Sequence, residues 1–488
     1  MTDILNKRRA GVLLHITSLP GSGAVGDLGQ EAQHFIKFLH DTGITVWQTL
    51  PLGTTHADLS PYQSLSAHAG NPELINIDWL CKHDWLRASE LDIGPPSRKS
   101  ELVAKGFAGF LERADQASKG DFENFCQAKA FWLDDFALFM ALRNEFHQQC
   151  WNQWPEPLKN REAKALQEAR RRLKSQIDAT KFQQYVFFKQ WLELKTYAGQ
   201  QGVLMFGDIP IFVSYDSADV WANREVFKLN DDGEMPVVAG VPPDYFSATG
   251  QRWGNPHFNW QQLKNTGFNW WLERLKTQLE CFDVLRIDHF RGLEAAWEIP
   301  ATEDTAIHGE WVKAPGKALL SAINAEFGEI PLVAEDLGII TPEVEELRDE
   351  FNLPGMKILQ FAFGDTPDNP YLPGNYIPNC VAYTGTHDND TTLGWSEKLS
   401  GDEKNKIYDY LGNPQTSIHC ALIHAALGSV ANLAIIPMQD ILELGSEHRM
   451  NTPGTTSGNW TWRFNWDQLT PERTGKMQHL VKLFNRQI

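Results

Sequence analysis

Acidic residues close five apolar runs: Asp208 in FGDIP, Asp288 in LRIDHF, Glu335 in VAEDLG, Asp388 in GTHDND and Asp440 in PMQDIL. Burying carboxylates near one another is unfavourable unless they are paired or used, so five such acids point to a reactive site. Substitution at a sugar's anomeric carbon with retained configuration needs two carboxyl groups in different roles. One stays ionised and attacks. The other is protonated, donates to the leaving oxygen and later acts as base. Asp288 suits the first role, because Arg286 lies two residues before it and shares its strand face. A cation there favours the ionised carboxylate. Glu335 suits the second role, because it follows Leu332, Val333 and Ala334, an apolar context that keeps a carboxyl protonated. Asp388 is then the third acid, binding hydroxyls and stabilising a positively charged transition state. His289 and His387 adjoin two of these acids and can hydrogen-bond hydroxyls. Asp336 faces away from Glu335 and reads as a structural partner. The competing use of clustered Asp, Glu and His is a metal centre. No HxxxH, HExxH or DxDxDG occurs, so no metal is expected.

Such acids need a scaffold that brings the ends of many strands together. Eight apolar, β-branched runs serve as candidate strands: 11–19, 46–52, 203–213, 282–290, 331–338, 356–364, 380–388 and 433–442. Helical patterns alternate with them. Ala32, Phe35, Ile36 and Leu39 make one helix face, and Leu320, Ile323 and Phe327 another. Thr341, Pro342 and Glu343 make a helix start, with Val344, Leu347 and Phe351 on the buried face. This alternation predicts the α/β class, as a closed (β/α)8 barrel carrying its site at the C-terminal ends of the strands. A doubly wound sheet is the alternative, but no GxGxxG opens the first helix.

Two gaps exceed ordinary βα loops. The expected organisation is one catalytic domain over 1–488. Helical subdomains are inserted after the second and third strands, a mainly helical one at 53–202 and another at 214–267. The second includes a candidate lid, AGVPPDYFSATGQRWGNPH (239–257), punctuated by glycine and proline and carrying Tyr245, Phe246 and Trp253. SPYQSLSAHAGNP (60–72) and NTPGTTSGNWTWR (451–463) are further polar, aromatic loops. The basic run at 159–174 alternates in sign and reads as a solvated helix.

The chain carries 44 basic and 62 acidic residues, and the resulting charge of −18 argues against a nucleic-acid partner. Eighteen tryptophans lean towards a ligand with flat apolar faces, as sugar rings have. None of the six cysteines forms a CxxC pair, which predicts reduced thiols. The opening MTDILNKRRAGVLLHITSLPG lacks a small-residue cleavage site, and no apolar run approaches membrane-spanning length. The cytoplasm is therefore the expected compartment, with no membrane partner.

SPYQ with AGNP, GDIPIFV, GVPPDYFSATGQRWGNP, LRIDHFRG, AEDLG, GTHDND and NTPGT-NW-WR together resemble the motifs, in order, of the 4-α-glucanotransferases. These are also called amylomaltases or disproportionating enzymes, glycoside hydrolase family 77 of the α-amylase clan. The resemblance runs from RRAGVLLHITSLPG onward, and its most specific element is the loop at 240–256. It implies Asp288 as nucleophile, Glu335 as acid/base and Asp388 as transition-state stabiliser, matching the roles read from the residues. It further implies substrate contacts from Tyr62, Asp208, Tyr245, Trp253, Arg286, His289, Phe361, His387 and Asn459. The implied partners are maltooligosaccharides and linear α-1,4-glucans, with no cofactor. The pattern departs at Ala57, where many relatives carry tyrosine, so an accessory glucan site built on that ring does not carry over. Two other readings use the same residues: an α-glucan hydrolase, and a non-catalytic glucan-binding protein.

Overall fold

The computed structural model describes residues 4–91, 99–243, 247–364 and 366–487. Twelve strands follow one another along the chain. They are β1 (Arg9–Leu13), β2 (Val46–Gln48), β3 (Leu204–Pro210), β4 (Val237–Val241), β5 (Gln251–Pro256), β6 (Val284–Asp288), β7 (Ala295–Pro300), β8 (Glu310–Lys313), β9 (Leu332–Ala334), β10 (Gly355–Ile358), β11 (Cys380–Tyr383) and β12 (Leu433–Pro437). Eight of them form one sheet in the order β10-β11-β12-β1-β2-β3-β6-β9, and every pairing in it is parallel. All eight lie within the runs singled out from the sequence, except that β1 and β10 start one or two residues earlier.

The sheet curls until its edges meet. The Ala334 N–H donates to Pro354 O at 2.9 Å, and the Met356 N–H donates to Asp336 Oδ1 at 2.7 Å. Asp336 is therefore the structural partner expected of it, bridging the seam and also accepting Arg348 Nη1 at 2.6 Å. Gly355 is required there, because a Cβ would stand 2.2 Å from Asp336 Oδ2.

Helices cover the barrel where apolar spacing places them. Helix Gln30–Thr42 buries Ala32, Phe35, Ile36 and Leu39, and helix Gly316–Phe327 buries Leu319, Leu320 and Ile323. Helix Pro342–Glu350 starts at Thr341 with proline in its first turn and buries Val344 and Leu347.

Between β2 and β3 the chain is helical, and its longest helix, Lys174–Gln200, anchors the loop that carries Tyr62. On that helix Gln184 exchanges two hydrogen bonds with the Gly70 backbone, at 2.8 and 2.9 Å. Gln190 does the same with Asn76, at 2.8 and 3.1 Å. Each buried amide replaces a strand neighbour for an otherwise unpaired peptide group.

Between β3 and β6 the chain is mixed rather than helical. It includes β4 and β5, which join β7 and β8 in a four-stranded antiparallel sheet of order β5-β4-β7-β8. Glycines and prolines in VVAGVPP and QRWGNP broke the alternation that would have marked these strands. The excursion after β6 supplies β7 and β8, which no expected strand covers: AAWEIP does not alternate and ends in proline, and EWVK is four residues with a charge at each end. The segment expected to act as a lid consists of the two arms of this β4–β5 pair, and Tyr245 and Phe246 between them lie outside the described residues.

Candidate active site

The barrel's parallel register places the acids side by side. Asp208 on β3 pairs with Arg286 on β6, two residues before Asp288 at that strand's end. Glu335 directly follows β9, whose Ala334 pairs with Ile287. Asp388 lies in the loop five residues beyond β11, and Asp440 in the short helix Met438–Ile441 after β12, so neither sits on a strand.

Arg286 organises the centre. Its Nε donates to Asp208 Oδ1 at 2.9 Å, and its Nη2 reaches Asp208 Oδ2 and Asp288 Oδ1, both at 2.7 Å. The same Nη2 lies 3.1 Å from the Tyr62 hydroxyl, which donates to Asp208 Oδ2 at 2.7 Å. The Asp208 side chain is wholly inaccessible, whereas that of Asp288 is 30% exposed at the mouth. The fork of guanidinium donors thus spends most of its contacts neutralising a buried acid and one contact orienting an accessible one. Burial pushes the Asp288 carboxyl up to about 6, with the Asp208 and Asp388 charges adding to it, while Arg286 and His387 hold it down. At neutral pH Asp288 is therefore ionised.

Glu335 accepts the His289 N–H on Oε2 at 2.6 Å and the Leu337 N–H on Oε1 at 3.0 Å. His289 can present its N–H this way because its backbone is left-handed, with φ of 54°. Burial, then the nearby Asp288 charge, raises the Glu335 carboxyl to about 8 against the pull of Arg286 and that backbone donor. Two carboxyls that sense one another thus stand on opposite sides of neutrality, one ionised and one protonated.

Asp388 has the opposite balance. Desolvation raises its carboxyl, but His387, the Asn451 amide and Arg286 outweigh this and hold it at about 2. His387 Nε2 lies 3.3 Å from Asp388 Oδ2, and Asn451 Nδ2 donates to Asp388 Oδ1 at 2.7 Å. The His387 ring stacks on Tyr62 at 5.1 Å between centroids, which ties the Asp388 loop to the Arg286 network. The His289 ring is kept neutral, because burial followed by the Arg291 and His257 charges lowers it to about 3. Its Nε2 has no partner among the described residues, and Trp253 of β5 packs edge-on against it at 4.8 Å.

The structure thus gathers Asp288, Glu335, Asp388, Tyr62, Asp208, Arg286, His289, His387 and Trp253. The remaining expected contacts are Asn459, Phe361 and Tyr245. The Asn459 amide is spent on its own loop, accepting the Thr452 N–H at 3.0 Å and donating to Thr455 O at 3.1 Å. Phe361 packs edge-on against Tyr371 at 5.6 Å, beside Glu335 and Asp336, whose charges act on the Tyr371 hydroxyl. Tyr245 lies outside the described residues. Asp440 is buried and accepts both the Thr384 and Thr392 hydroxyls at 2.6 Å, so it braces the floor beneath the Asp388 loop. Three residues in the site were not read from the sequence: Asn451, Arg449 and Trp460. Arg449 donates to Asp388 O at 2.8 Å, and Trp460 lies 5.9 Å from both Tyr62 and His387. The segment 451–463 reads as a ligand loop, but the sequence does not say which of its amides faces inward.

A parallel barrel that sets an ionised carboxylate beside a protonated one at its C-terminal mouth defines the class of barrel enzymes that work on glycosidic bonds. The comparisons are specific within that class. The family model described as 4-alpha-glucanotransferase matches residues 14–470. The 4-alpha-glucanotransferase of Synechocystis sp. is 49% identical over 99% of both chains. That of Thermus thermophilus is 48% identical over 98% of this chain and 99% of its own. Amylomaltase from Streptococcus agalactiae in complex with acarbose superposes with a TM-score of 0.95 at 38% identity, covering 99% of this chain and all of that one. The chain belongs to the 4-alpha-glucanotransferase family and is an enzyme of that glycosyl-transferring class.

Proposed function

We propose that this enzyme moves a segment of a 1,4-α-glucan to the 4-hydroxyl of a second glucan or of glucose, through a covalent intermediate on Asp288. The observation that carries the reading is the carboxyl pair itself, with Asp288 held ionised against Arg286 and Glu335 held protonated by burial and the neighbouring Asp288 charge, while the His289 N–H fixes its position. An Asp288 oxygen attacks the anomeric carbon while Glu335 gives its proton to the departing O4. The bond from C1 to O4 breaks as that from C1 to Asp288 forms. Glu335, now ionised, takes the proton of the incoming 4-hydroxyl, which attacks C1 and releases Asp288. Asp388, ionised throughout, lies next to the positive charge that develops at the ring in both transition states. Tyr62, Asp208, Arg286, His289 and His387 position the sugar and the carboxylates.

Transfer outruns hydrolysis when an acceptor sugar reaches the intermediate before water. The β4–β5 pair, whose Trp253 packs edge-on against His289, suits a closing lid with acceptor-stacking rings, to which the sequence joining the two strands adds Tyr245. The inserted elements over 53–202 and 214–267 act as subdomains that shape this mouth. Donors and acceptors are maltooligosaccharides and linear α-1,4-glucans. Phe361 and Asn459 contribute to the outer parts of the cleft. The enzyme works in the cytoplasm, a reading supported by six free thiols. No helix among the described residues is long and apolar enough to cross a membrane.

The test is incubation with maltotriose, following products by chromatography and reducing ends in parallel. Glucose plus a ladder of longer oligomers, with no net gain of reducing ends, is expected. Glucose and maltose alone, with rising reducing ends, would make the enzyme a hydrolase.

A further inference from the structure

A second cluster of reactive side chains lies away from the glucan cleft, where helix Ile418–Gly428, the turn after helix Met438–Ile441 and helix Pro471–Leu483 meet. His419 is buried, and its Nε2 lies 2.6 Å from Asp440 O. A carbonyl oxygen can only accept, so Nε2 carries a proton and Nδ1 is the nitrogen turned towards the cluster. Nδ1 lies 3.6 Å from Cys420 Sγ, which is 4.0 Å from Glu443 Oε1, and one atom from each of the three side chains lies within 4.8 Å of the others. A backbone carbonyl on the far ring nitrogen is the usual outer support of a metal-bound histidine. Zinc bonds of roughly 2.0–2.3 Å in a tetrahedron set ligand edges at about 3.4–3.6 Å. The His419–Cys420 edge already has that length. The Cys420–Glu443 edge is a few tenths of an ångström longer, and the half-exposed Glu443 side chain can close it.

The space between these groups holds a cation of another kind. Lys476 Nζ lies 2.8 Å from Cys420 Sγ and 3.0 Å from Glu443 Oε1. Its side chain is 40% exposed and can swing out to solvent. Arg473 also lies 3.9 Å from Glu443 Oε2, on its outer side.

We propose that His419 Nδ1, Cys420 Sγ and Glu443 form a binding site for a borderline divalent cation of the zinc type, in which Lys476 is the built-in competitor. Thiolate, imidazole and carboxylate together select a borderline ion over calcium or magnesium. The bound ion replaces the ammonium, and water completes the tetrahedron. It ties helix Ile418–Gly428 to the turn carrying Glu443, on either side of the Asp440 brace, and takes no part in the chemistry at Asp288. Sequence spacing gave no sign of this site, because two ligands are adjacent and the third lies 23 residues on.

The test is titration of the full-length protein with cobalt(II) at neutral pH, followed by near-ultraviolet absorption from thiolate-to-cobalt charge transfer. One saturable equivalent, displaced by zinc, is expected. Cys420→Ala should abolish the band, and Glu443→Gln should weaken binding. Lys476→Met should tighten it about tenfold, because it removes a cation that two anionic groups hold at the surface. Absence of the band, its survival in Cys420→Ala, or unchanged affinity in Lys476→Met would each overturn the proposal.

Discussion

Replacing Arg286 with methionine removes a group that touches Asp208, Asp288 and Tyr62 together. Two effects follow, and they can be measured separately. Asp208 is left as an uncompensated charge in a site without solvent, which costs about 3–5 kcal/mol of stability. Asp288 loses its nearest cation, and removing an opposite charge at hydrogen-bonding distance raises a carboxyl by about 1–3 units. From its present value of about 6, a rise of about two units lowers the ionised fraction at pH 7 from roughly nine-tenths to roughly one-tenth. Protonation alone then cuts kcat/KM on maltotriose about tenfold, and misorientation of the carboxylate adds to this. The assay is glucose release from maltotriose between pH 5 and 9, with a thermal melt of the same preparation. The acid limb of the profile should move alkaline by one to three units in Arg286→Met and by less in Arg286→Lys, which keeps the charge. A folded Arg286→Met variant whose acid limb stays where it is in the parent would refute the reasoning.

Further outcomes follow from the same geometry. The parent enzyme should show a bell-shaped kcat/KM, losing activity as pH falls through about 6, where Asp288 protonates, and as it rises through about 8, where Glu335 loses its proton. Glu335→Gln should lose about 10²–10⁴ in turnover of maltotriose. Asn451→Ala deprives Asp388 of a charge-assisted bond worth roughly 1.5–3 kcal/mol, so turnover should fall roughly tenfold to a hundredfold, with a smaller change in KM. Trp253→Ala should raise the share of hydrolysis to transfer, read as reducing ends gained per glucose released.

The barrel was legible because its eight strands are largely buried on both faces and read as mostly apolar runs. The carboxylates of Asp288 and Glu335 were legible because each breaks such a run at its C-terminal end. What stayed hidden has physical causes. The antiparallel sheet of β4, β5, β7 and β8 is built from short segments, two apolar (VVAGV and AAWEIP) and two polar (QRWGNP and EWVK), so no alternation marks it. Asp440 carries the same sequence signature as Asp288, but hydrogen bonds from Thr384 and Thr392 make it a brace, and those partners lie 56 and 48 residues away. Asn451 and Asn459 sit in one loop, and only its fold decides that the first reaches Asp388 while the second closes the loop on itself.

Covalent attachment at Asp288 tests the account most directly. In Glu335→Gln, α-maltosyl fluoride needs no protonation to leave, so the glycosyl-enzyme should form, but no base remains to activate an acceptor and the adduct should accumulate. Intact mass followed by peptide mapping reads it out. A maltosyl group on the peptide LRIDHF, at Asp288, is the predicted result. No adduct, or one on any other residue, would contradict it.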